Sequence, residues 1–404
     1  MIVPALTGRF PLTAGSSIQD ILHAARQHLG MKVAFVSEFV GGRRVFRYVD
    51  CGTGERLIEV GGSDPLEESY CHWVAEKKLP ELIRDPAEHP FTRHLAATKA
   101  VPVGAHISVP IRLRDGELFG TFCCFSQEPD RSLTERDLAT MHAFAQVAGA
   151  QIQVAIDGRR EKEAKHTRIR AILDAGNFDI VHQPAVRIDC GRVEFVEALA
   201  RFRSEPVRPP NEWFEEATEV GLAAELETLV TGRALQTLEV IPETVSLSVN
   251  ISPAMLAHGD LCDRLRSALP HRLILEITEH KAVGCYQALR DSLAPLRSRG
   301  LRLAIDDAGA GYSSFRHILE LRPDIIKLDM SLCRGLERDS AKRALVSSLL
   351  SFSRAVGCEI VAEGVETEAE LASLRRIGIM IAQGHLLARP ARPVPGEFAL
   401  AGAA

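Results

Sequence analysis

Nine polar side chains in the second half of the chain stand at the ends of short apolar runs, where a fold could bring them together. They are Gln183, Glu197, Asn250, Glu276, Asp306, Asp307, Lys327, Glu363 and Gln383. Five of these nine are carboxylates, which would repel one another at close range unless cations lay among them. Carboxylate and amide oxygens are ligands that magnesium and manganese prefer. The pattern therefore predicts a divalent-metal site.

The adjacent pair Asp306-Asp307 indicates that more than one ion is bound. One carboxylate of such a pair can lie between two ions while the other binds the second ion alone. Two ions about 3.5–4 Å apart stabilise the attacking and leaving oxygens of a displacement at phosphorus. Lys327 would then be a cation near the attacking water or the phosphate, and the structural alternative is a buried lysine paired with an acid such as Asp329. These residues predict a two-metal phosphoester hydrolase.

Eight strand-like runs position these side chains. They read FDIVHQP, VEFVEALAR, VSLSVNISP, RLILEITE, LRLAIDDAG, PDIIKLD, EIVAEGVE and IMIAQG, and helical stretches separate most of them. Strands that are buried on both faces have continuous apolar runs of this kind. Eight such units in about 230 residues match a (β/α)8 barrel, whose active site lies at the C-terminal ends of its strands. The predicted fold class is α/β, with a C-terminal TIM-type barrel.

Seven collinear motifs across residues 173–395 resemble the EAL domain, a family of phosphodiesterases that act on the bacterial second messenger cyclic di-GMP. The motifs are Glu197-Ala-Leu199 with Arg201, Asn250-Ile-Ser-Pro, Glu276-Ile-Thr-Glu279, Asp306-Asp307-x-Gly-x-Gly-Tyr-Ser-Ser, Lys327-Leu-Asp329, Glu363-Gly-Val-Glu366 and Gln383-Gly. The resemblance implies hydrolysis of cyclic di-GMP to linear pGpG. The family's metal and base residues are all present, which favours an active enzyme.

The resemblance also implies a role for each residue. The ligands of a first Mg²⁺ or Mn²⁺ ion would be Glu197, Asn250, Glu276 and Asp306, and a second ion would be surrounded by Asp306, Asp307 and Glu363. Glu363 also matches the family's proposed general base, so base and metal ligand are competing descriptions of it, and Lys327 matches the lysine that holds the hydrolytic water. The positions that contact the dinucleotide would be Gln183, Leu199, Arg201, Glu366 and Gln383. Glu279 matches a glutamate that anchors the loop after Asp307.

The chain departs from the family's usual pattern at three positions. Ala308 stands where the loop after the aspartate pair usually has Phe, and losing that ring removes packing from a loop that also shapes the family's dimer surface. His182 and His385 stand where tyrosines are common. An imidazole at either position would bring a pH-sensitive group close to the substrate.

The first part of the chain resembles a GAF domain, an α+β fold with a central antiparallel sheet, most clearly in the stretch SVPIRLRDGELFGTFCCFS…LTERDL. The Asp-Gly of RDGE predicts a hairpin, and Ser132-x-x-Glu135 predicts a capping box at the start of a helix that continues to about residue 173. We divide the chain into a GAF-like sensor domain (1–157), a helical linker (158–172) and an EAL barrel (173–404). The linker is either a solvated connector or a signalling helix that pairs with its copy in a dimer.

The GAF ligand is left open by the sequence. Cys71-His72 resembles the pair that carries a bilin in phytochrome-like GAF domains, but it lies well upstream of the expected position. This placement argues against a covalent bilin and favours a buried helix residue at Cys71.

The composition of the chain limits the compartments and the partners that we expect for it. Nine cysteines without a C-x-x-C pair argue against a disulfide framework and a structural zinc site. A net charge of −5 without a long basic run argues against binding a nucleic acid polymer. The apolar runs are too short to span a membrane, and the N-terminus lacks the pattern of a secretory signal. We therefore expect a cytoplasmic protein, and the resemblance to the EAL family implies a homodimer.

Two other functions compete with the phosphodiesterase. The first is a catalytically silent receptor that binds cyclic di-GMP and signals through protein contacts. The second is a hydrolase of linear dinucleotides or other phosphodiesters.

Overall fold

A computed structural model describes residues 12–52, 57–95, 97–98, 102–257, 265, 267–278, 284–308 and 313–392 of the chain. The chain divides into two compact units between Glu161 and Lys162. This division lies within the segment 158–172 that we interpret as a linker. None of the described helices is long and apolar enough to cross a membrane.

The first unit is built on a six-stranded antiparallel sheet with the strand order β3-β2-β1-β6-β5-β4. Its elements are α1 (Leu12–Leu29), β1 (Val33–Val40), β2 (Arg43–Cys51), β3 (Ser63–Pro65), α2 (Tyr70–Ala75), β4 (Leu82–Ile83), β5 (Ala105–Arg112) and β6 (Leu118–Ser126). β5 and β6 form the hairpin that Asp115-Gly116 predicts, with Gly116 at a φ of 86°. The predicted α+β fold of this unit is confirmed.

The helix that follows, α3 (Glu135–Ala175), begins where the sequence predicts, but its cap is different. Both the backbone nitrogen and the hydroxyl of Thr134 donate to the carboxylate of Asp137, each at 2.7 Å. The predicted capping box at Ser132 is wrong, because the Ser132 hydroxyl donates to Asp130 in the preceding turn. The equivalent interaction lies two residues further along the chain.

The second unit contains a closed barrel of the eight predicted strands. They are β7 (Phe178–Arg187), β8 (Val193–Phe202), β9 (Ser246–Asn250), β10 (Leu273–Thr278), β11 (Arg302–Ala308), β12 (Ile325–Leu328), β13 (Glu359–Ala362) and β14 (Ile381–Ala382). One strand departs from a regular (β/α)8 barrel: β7 is antiparallel to both of its neighbours, β8 and β14. The reason is its connection to β8, a short turn through Gly191 that has no crossover helix.

Helices connect most of the parallel strands and cover the outside of the barrel. They are α4 (Pro210–Glu219), α5 (Ala223–Gln236), α6 (Tyr286–Arg297), α7 (Ser313–Leu321), α8 (Met330–Cys333), α9 (Ser340–Val356) and α10 (Glu368–Ile377). Their buried leucines, isoleucines and valines form one core with the outward-facing residues of the strands. The core fixes the strands, and the strands position the polar residues at one end of the barrel.

Candidate active site

The site residues form a layer directly above an apolar layer inside the barrel. The apolar layer takes one residue from each of seven strands: Ala185, Phe195, Ile274, Ala304, Ile325, Val361 and Ile381. Residues two positions apart in a strand point to the same face. Glu197 and Glu363 therefore follow Phe195 and Val361 on the inner face. Because β7 runs in the opposite direction, its polar residue, Gln183, precedes its apolar one instead.

Lys327 is the centre of this layer, with only 1% of its surface exposed. Four carboxylates surround its ammonium group. The distances from Nζ are 2.7 Å to Oε2 of Glu276, 2.7 Å to Oε1 of Glu363, 3.1 Å to Oδ1 of Asp306 and 3.4 Å to Oε2 of Glu197. One positive charge cannot balance four buried negative charges, so the arrangement favours protons or further cations among the acids.

Amide side chains orient Glu197 within the layer. Asn250 Nδ2 donates to one of its carboxylate oxygens at 3.0 Å, and Gln383 Nε2 donates to the other at 2.8 Å. The amide nitrogen of Asn250 is thereby used, which leaves its carbonyl oxygen for a cation. Gln383 Oε1 is buried and has no hydrogen-bond partner among the described residues. It is an acceptor that a ligand could satisfy.

Asp307 reaches the site through a backbone conformation that strands do not use. Neighbouring residues of a strand point to opposite faces, so Asp306 and Asp307 should diverge. Asp307 instead has a φ of 56°, in the left-handed region that non-glycine residues rarely adopt. Oxygens of Asp306, Asp307 and Glu363 lie within 4.8 Å of one another. This all-oxygen set fits a hard divalent ion such as Mg²⁺ or Mn²⁺.

Burial and mutual repulsion shift the pKa values of the acids in the metal-free layer. Burial raises the pKa of Glu363 to about 8, against the opposing charge of Lys327. Burial and the nearby charge of Glu197 raise the pKa of Glu276 well above its usual range. Burial opposes ionisation of Glu197 too, but Lys327 and the amide donors hold its pKa below the ordinary value. Without metal, the layer therefore favours the protonated form of Glu363 at neutral pH, and the pKa of Glu276 is shifted in the same direction.

This protonation predicts how metal binding depends on pH. The folded protein keeps Glu363 protonated up to a higher pH than the unfolded chain does, and Glu276 is shifted in the same direction. The contribution of Glu363 to the stability of the metal-free protein is therefore lost as the pH rises through about 8. Because Mg²⁺ must displace these protons, we expect it to raise the Tm more at pH 8.5 than at pH 6, by roughly RT ln(1 + [L]/Kd) at each pH. Thermal unfolding with EDTA and with Mg²⁺ at both pH values measures the shift, and an equal shift at both would contradict the prediction.

A cavity of about 320 Å³ opens above this layer. Of the residues predicted to contact a nucleotide, Gln183, Leu199, Glu366 and Gln383 line it. Glu366 is exposed and paired with Arg334, and its backbone nitrogen donates to the Glu370 carboxylate at 3.0 Å. The same carboxylate completes the capping box of α10 with Thr367. A fixed helix end thus holds Glu366 at the edge of the cavity.

Three other expectations from the sequence have different outcomes. Arg201 follows Leu199 on the same face of β8, but it is exposed, donates to the Ala200 carbonyl and is not part of the cavity lining. Glu279 lies outside the described residues. Lys327 is a buried lysine paired with acids, as the structural alternative expected, but Asp329 is not among the acids paired with it. Asp329 instead caps α8 by accepting from the backbone nitrogen of Ser331 at 2.9 Å.

The structure adds residues that the sequence analysis missed. The hydroxyl of Ser248 donates to Oε1 of Glu276 at 2.5 Å, inside the barrel and two positions before Asn250. The period of two along β9 could have identified it. Arg334 lines the cavity and contributes a positive charge beside Glu366. No sequence signal marks Arg334, because only the fold brings it to Glu366.

His182 does not face the substrate cavity, which corrects the expectation of a titrating imidazole there. It is buried, it is hydrogen-bonded to Thr237 Oγ1 at 3.0 Å, and burial lowers its pKa to about 4. His385 does line the cavity. Ala308, which stands in place of the family's Phe, is buried in the barrel core at the end of β11.

Comparison with known proteins agrees with both halves of this architecture. The EAL domain family model matches residues 166–390, and the GAF domain family model matches residues 15–152. The bifunctional diguanylate cyclase/cyclic di-GMP phosphodiesterase MucR of Pseudomonas aeruginosa is 33% identical over 248 residues, covering 58% of this chain and 36% of that protein. The cyclic di-GMP phosphodiesterase RocR of the same organism is 31% identical over 229 residues, covering 54% of this chain and 58% of that protein.

Among solved structures, a MucR phosphodiesterase in complex with cyclic di-GMP is similar to this chain at a TM-score of 0.52 and 32% sequence identity. The match covers 57% of this chain and 98% of that structure. All three matches cover little more than half of this chain, and the chain spans less than two thirds of the length of MucR and RocR. The similarity therefore identifies the barrel domain, and it is weaker support for the activity of the whole protein.

Proposed function

This chain belongs to the EAL domain family, and from that membership and its own site we propose that it hydrolyses cyclic di-GMP to linear pGpG in a metal-dependent reaction. The observation that carries the proposal is the complete set of carboxylates around buried Lys327, beneath a cavity lined by polar groups. Such an arrangement of buried charges is costly to hold, and perturbed groups of this kind are concentrated at catalytic sites, which favours an enzyme over a simple nucleotide receptor. The relatives named as cyclic di-GMP phosphodiesterases support the same activity.

The metal ligands follow from the donor set. Glu197, Asn250, Glu276 and Asp306 would hold one Mg²⁺ or Mn²⁺ ion, and Asp306, Asp307 and Glu363 would hold the second. Bound ions supply an activated water and stabilise charge on the phosphoryl oxygens. The left-handed backbone of Asp307 directs its carboxylate to the side that Asp306 already faces.

The protein's own groups would orient the water and accept its proton. Glu363 is 2.7 Å from Lys327 and, as the alternative to binding the second ion, would be the general base that accepts the proton of the water. The Lys327 ammonium donates to the carboxylates that surround it and balances part of their charge. It would also hold a water beside Glu363. Gln183, Gln383 and Glu366 offer amide and carboxylate groups at the cavity wall for the guanine edges and the phosphates.

The proposal extends to regulation, assembly and compartment. The GAF domain would set the rate of the barrel through a bound signal, and a homodimer would be the working unit. None of the described cysteines forms a disulfide, which is typical of a reducing compartment such as the cytoplasm.

Product analysis tests the reaction and the substrate class. Full-length protein is incubated with cyclic di-GMP, with linear pGpG and with a non-nucleotide phosphodiester, each with Mg²⁺, Mn²⁺ or EDTA, and the products are separated by chromatography. We expect pGpG from cyclic di-GMP only when metal is present. Bound but unchanged cyclic di-GMP would support the receptor, and preferential cleavage of pGpG would support the alternative hydrolase.

A further inference from the structure

Two thiols and an imidazole meet in the buried interior of the first unit. They belong to Cys71, His106 and Cys123, which we call the thiol–imidazole cluster. All three residues are buried, with at most 3% of their surface exposed. The two Sγ atoms are 3.3 Å apart, and one ligand atom from each residue lies within 4.8 Å of the others. The barrel site uses none of these residues.

The sheet brings the cluster together. β5 and β6 pair so that Ser108 lies opposite Cys123, and His106 lies two positions from Ser108 on the same face. The side chain of Cys124, the next residue of β6, points to the opposite face, where its sulfur contacts Met141 of α3. Cys71 reaches the cluster from α2, which packs on the first of these two faces.

Polar groups around the cluster suit sulfur ligands that carry negative charge. Arg44 Nη1 donates to the Cys71 sulfur at 3.1 Å, while its Nε is held by Asp64 at 2.9 Å. The hydroxyl of Ser108 is 3.1 Å from the Cys123 sulfur and can donate to it, while the Cys123 thiol donates to Thr121 Oγ1 at 3.1 Å. Outer partners of this kind orient metal ligands and tune their basicity.

One ring nitrogen of His106 is left without a partner. Its Nδ1 is buried and has no hydrogen-bond partner among the described residues. A buried imidazole nitrogen without a partner is costly unless something accepts or supplies a bond. A cation bound by His106 would use the lone pair of the ring nitrogen that faces the two sulfurs.

We propose that the thiol–imidazole cluster binds a borderline-soft divalent transition-metal ion of the zinc class. Two thiolates and one neutral imidazole are a donor set for such an ion, in contrast to the hard oxygen set of the barrel. Two sulfurs bound at about 2.3 Å to a tetrahedral ion lie about 3.8 Å apart, so the pair would separate by only about half an ångström. Two thiolates balance the ion's charge, and Arg44 and Asp64 balance each other.

The ion would keep one coordination position for a ligand from outside the protein. Three protein ligands are typical of open sites, in which the fourth position of the tetrahedron takes water or a small molecule. His106 also lines a cavity of about 350 Å³, together with Arg44 and the rings of Phe35, Phe46 and Phe125. A small donor molecule in this cavity would be a neighbour of the ion. The absence of a C-x-x-C pair argues against a structural zinc site of closely spaced cysteines, whereas these three ligands lie far apart in the chain.

Cobalt titration tests the site, because sulfur ligands give Co²⁺ intense charge-transfer absorption that oxygen ligands do not. Metal-stripped, reduced full-length protein is titrated with Co²⁺ in excess Mg²⁺, which fills the oxygen ligands of the barrel. We expect the band to saturate at one equivalent and to disappear when Zn²⁺ is added. No band from folded, reduced protein at saturating Co²⁺ would overturn the proposal.

Single substitutions assign the ligands. Cys71→Ser and Cys123→Ser should lower the intensity of the band. These two variants and His106→Gln should each weaken Co²⁺ binding by at least about tenfold, because even the loss of a residue that only hydrogen-bonds a metal ligand lowers metal affinity by that much. Cys124→Ser is the matched control, because it removes a buried thiol from the same strand on the opposite face. Circular dichroism identifies any variant that does not fold. The titration of the wild-type protein tests the proposal even if every variant fails to fold. A band that survives all three ligand substitutions would overturn the assignment.

The short distance between the sulfurs also suits a disulfide, and the same protein distinguishes the two outcomes. Hydrogen peroxide would take two electrons and two protons from the thiol pair, forming the S–S bond and two waters. A peptide linking Cys71 to Cys123 after peroxide, from protein that gives no Co²⁺ band when reduced, would assign the pair to thiol redox chemistry and overturn the metal site.

Discussion

Replacing Glu363 with Gln should lower kcat by about 10²–10⁴-fold, the usual contribution of a general base, while leaving the Kd for cyclic di-GMP within about threefold. Gln has the same shape but cannot accept a proton. It also replaces one of the four crowded carboxyl groups around Lys327 with a neutral amide, so the fold should survive. Steady-state turnover and equilibrium binding, both with Mg²⁺, measure the two quantities.

The matched control for this variant is Glu359→Gln. Glu359 begins the same strand, β13, but it is exposed at the opposite end of the barrel. It should leave both kcat and Kd unchanged. The metal affinity of Glu363→Gln then separates the two descriptions of Glu363, because a ligand loses metal binding together with turnover whereas a base loses turnover at saturating metal. Near-normal turnover in Glu363→Gln would remove Glu363 from the chemistry.

Replacing Lys327 with Met should abolish turnover and destabilise the metal-free protein by about 3–5 kcal/mol, the cost of removing one partner from a buried ionic group. Met fills a similar volume but leaves four carboxylates within one buried layer without their common cation. The loss should be larger at pH 8 than at pH 6, because the acids that remain can take up protons as the pH falls. Divalent ions should restore part of the stability without restoring the rate.

Urea unfolding of Lys327→Met in EDTA and in Mg²⁺ measures this effect. Lys162→Met is the control, since Lys162 is an exposed residue of the long helix α3 and its loss should change stability by no more than about 0.5 kcal/mol. If Lys327→Met were as stable as the wild type in EDTA at pH 8, the carboxylates would not depend on this lysine for their compensation. The account of the site would then be wrong.

The barrel and its polar layer were predictable because both follow from short periods in the sequence. Continuous apolar runs indicate strands that are buried on both faces, and a polar residue two positions beyond an inward-facing apolar one stays on the inner face. Phe195 and Glu197, or Ile325 and Lys327, show this relation directly. The direction of β7 was not predictable from its own residues, because an apolar run reads the same for a strand of either direction.

Other features depend on contacts between distant residues. The left-handed backbone at Asp307 gives no signal in a sequence that predicts a simple strand end. His182 does not reach the cavity because its imidazole is hydrogen-bonded to Thr237 Oγ1 on the outer side of the barrel. Its position in the sequence beside Gln183 does not reveal this. The thiol–imidazole cluster combines an α2 residue with two strands, so no local spacing rule finds it.

The central claim is that this chain is an enzyme and not a receptor, and the number of turnovers per chain tests it most directly. Full-length protein is mixed with a large excess of cyclic di-GMP and Mn²⁺, and pGpG is counted against the amount of protein, with an EDTA control. The account predicts many molecules of pGpG per chain with metal and none with EDTA. One tightly bound, unchanged cyclic di-GMP per chain, with no pGpG in either condition, would contradict it.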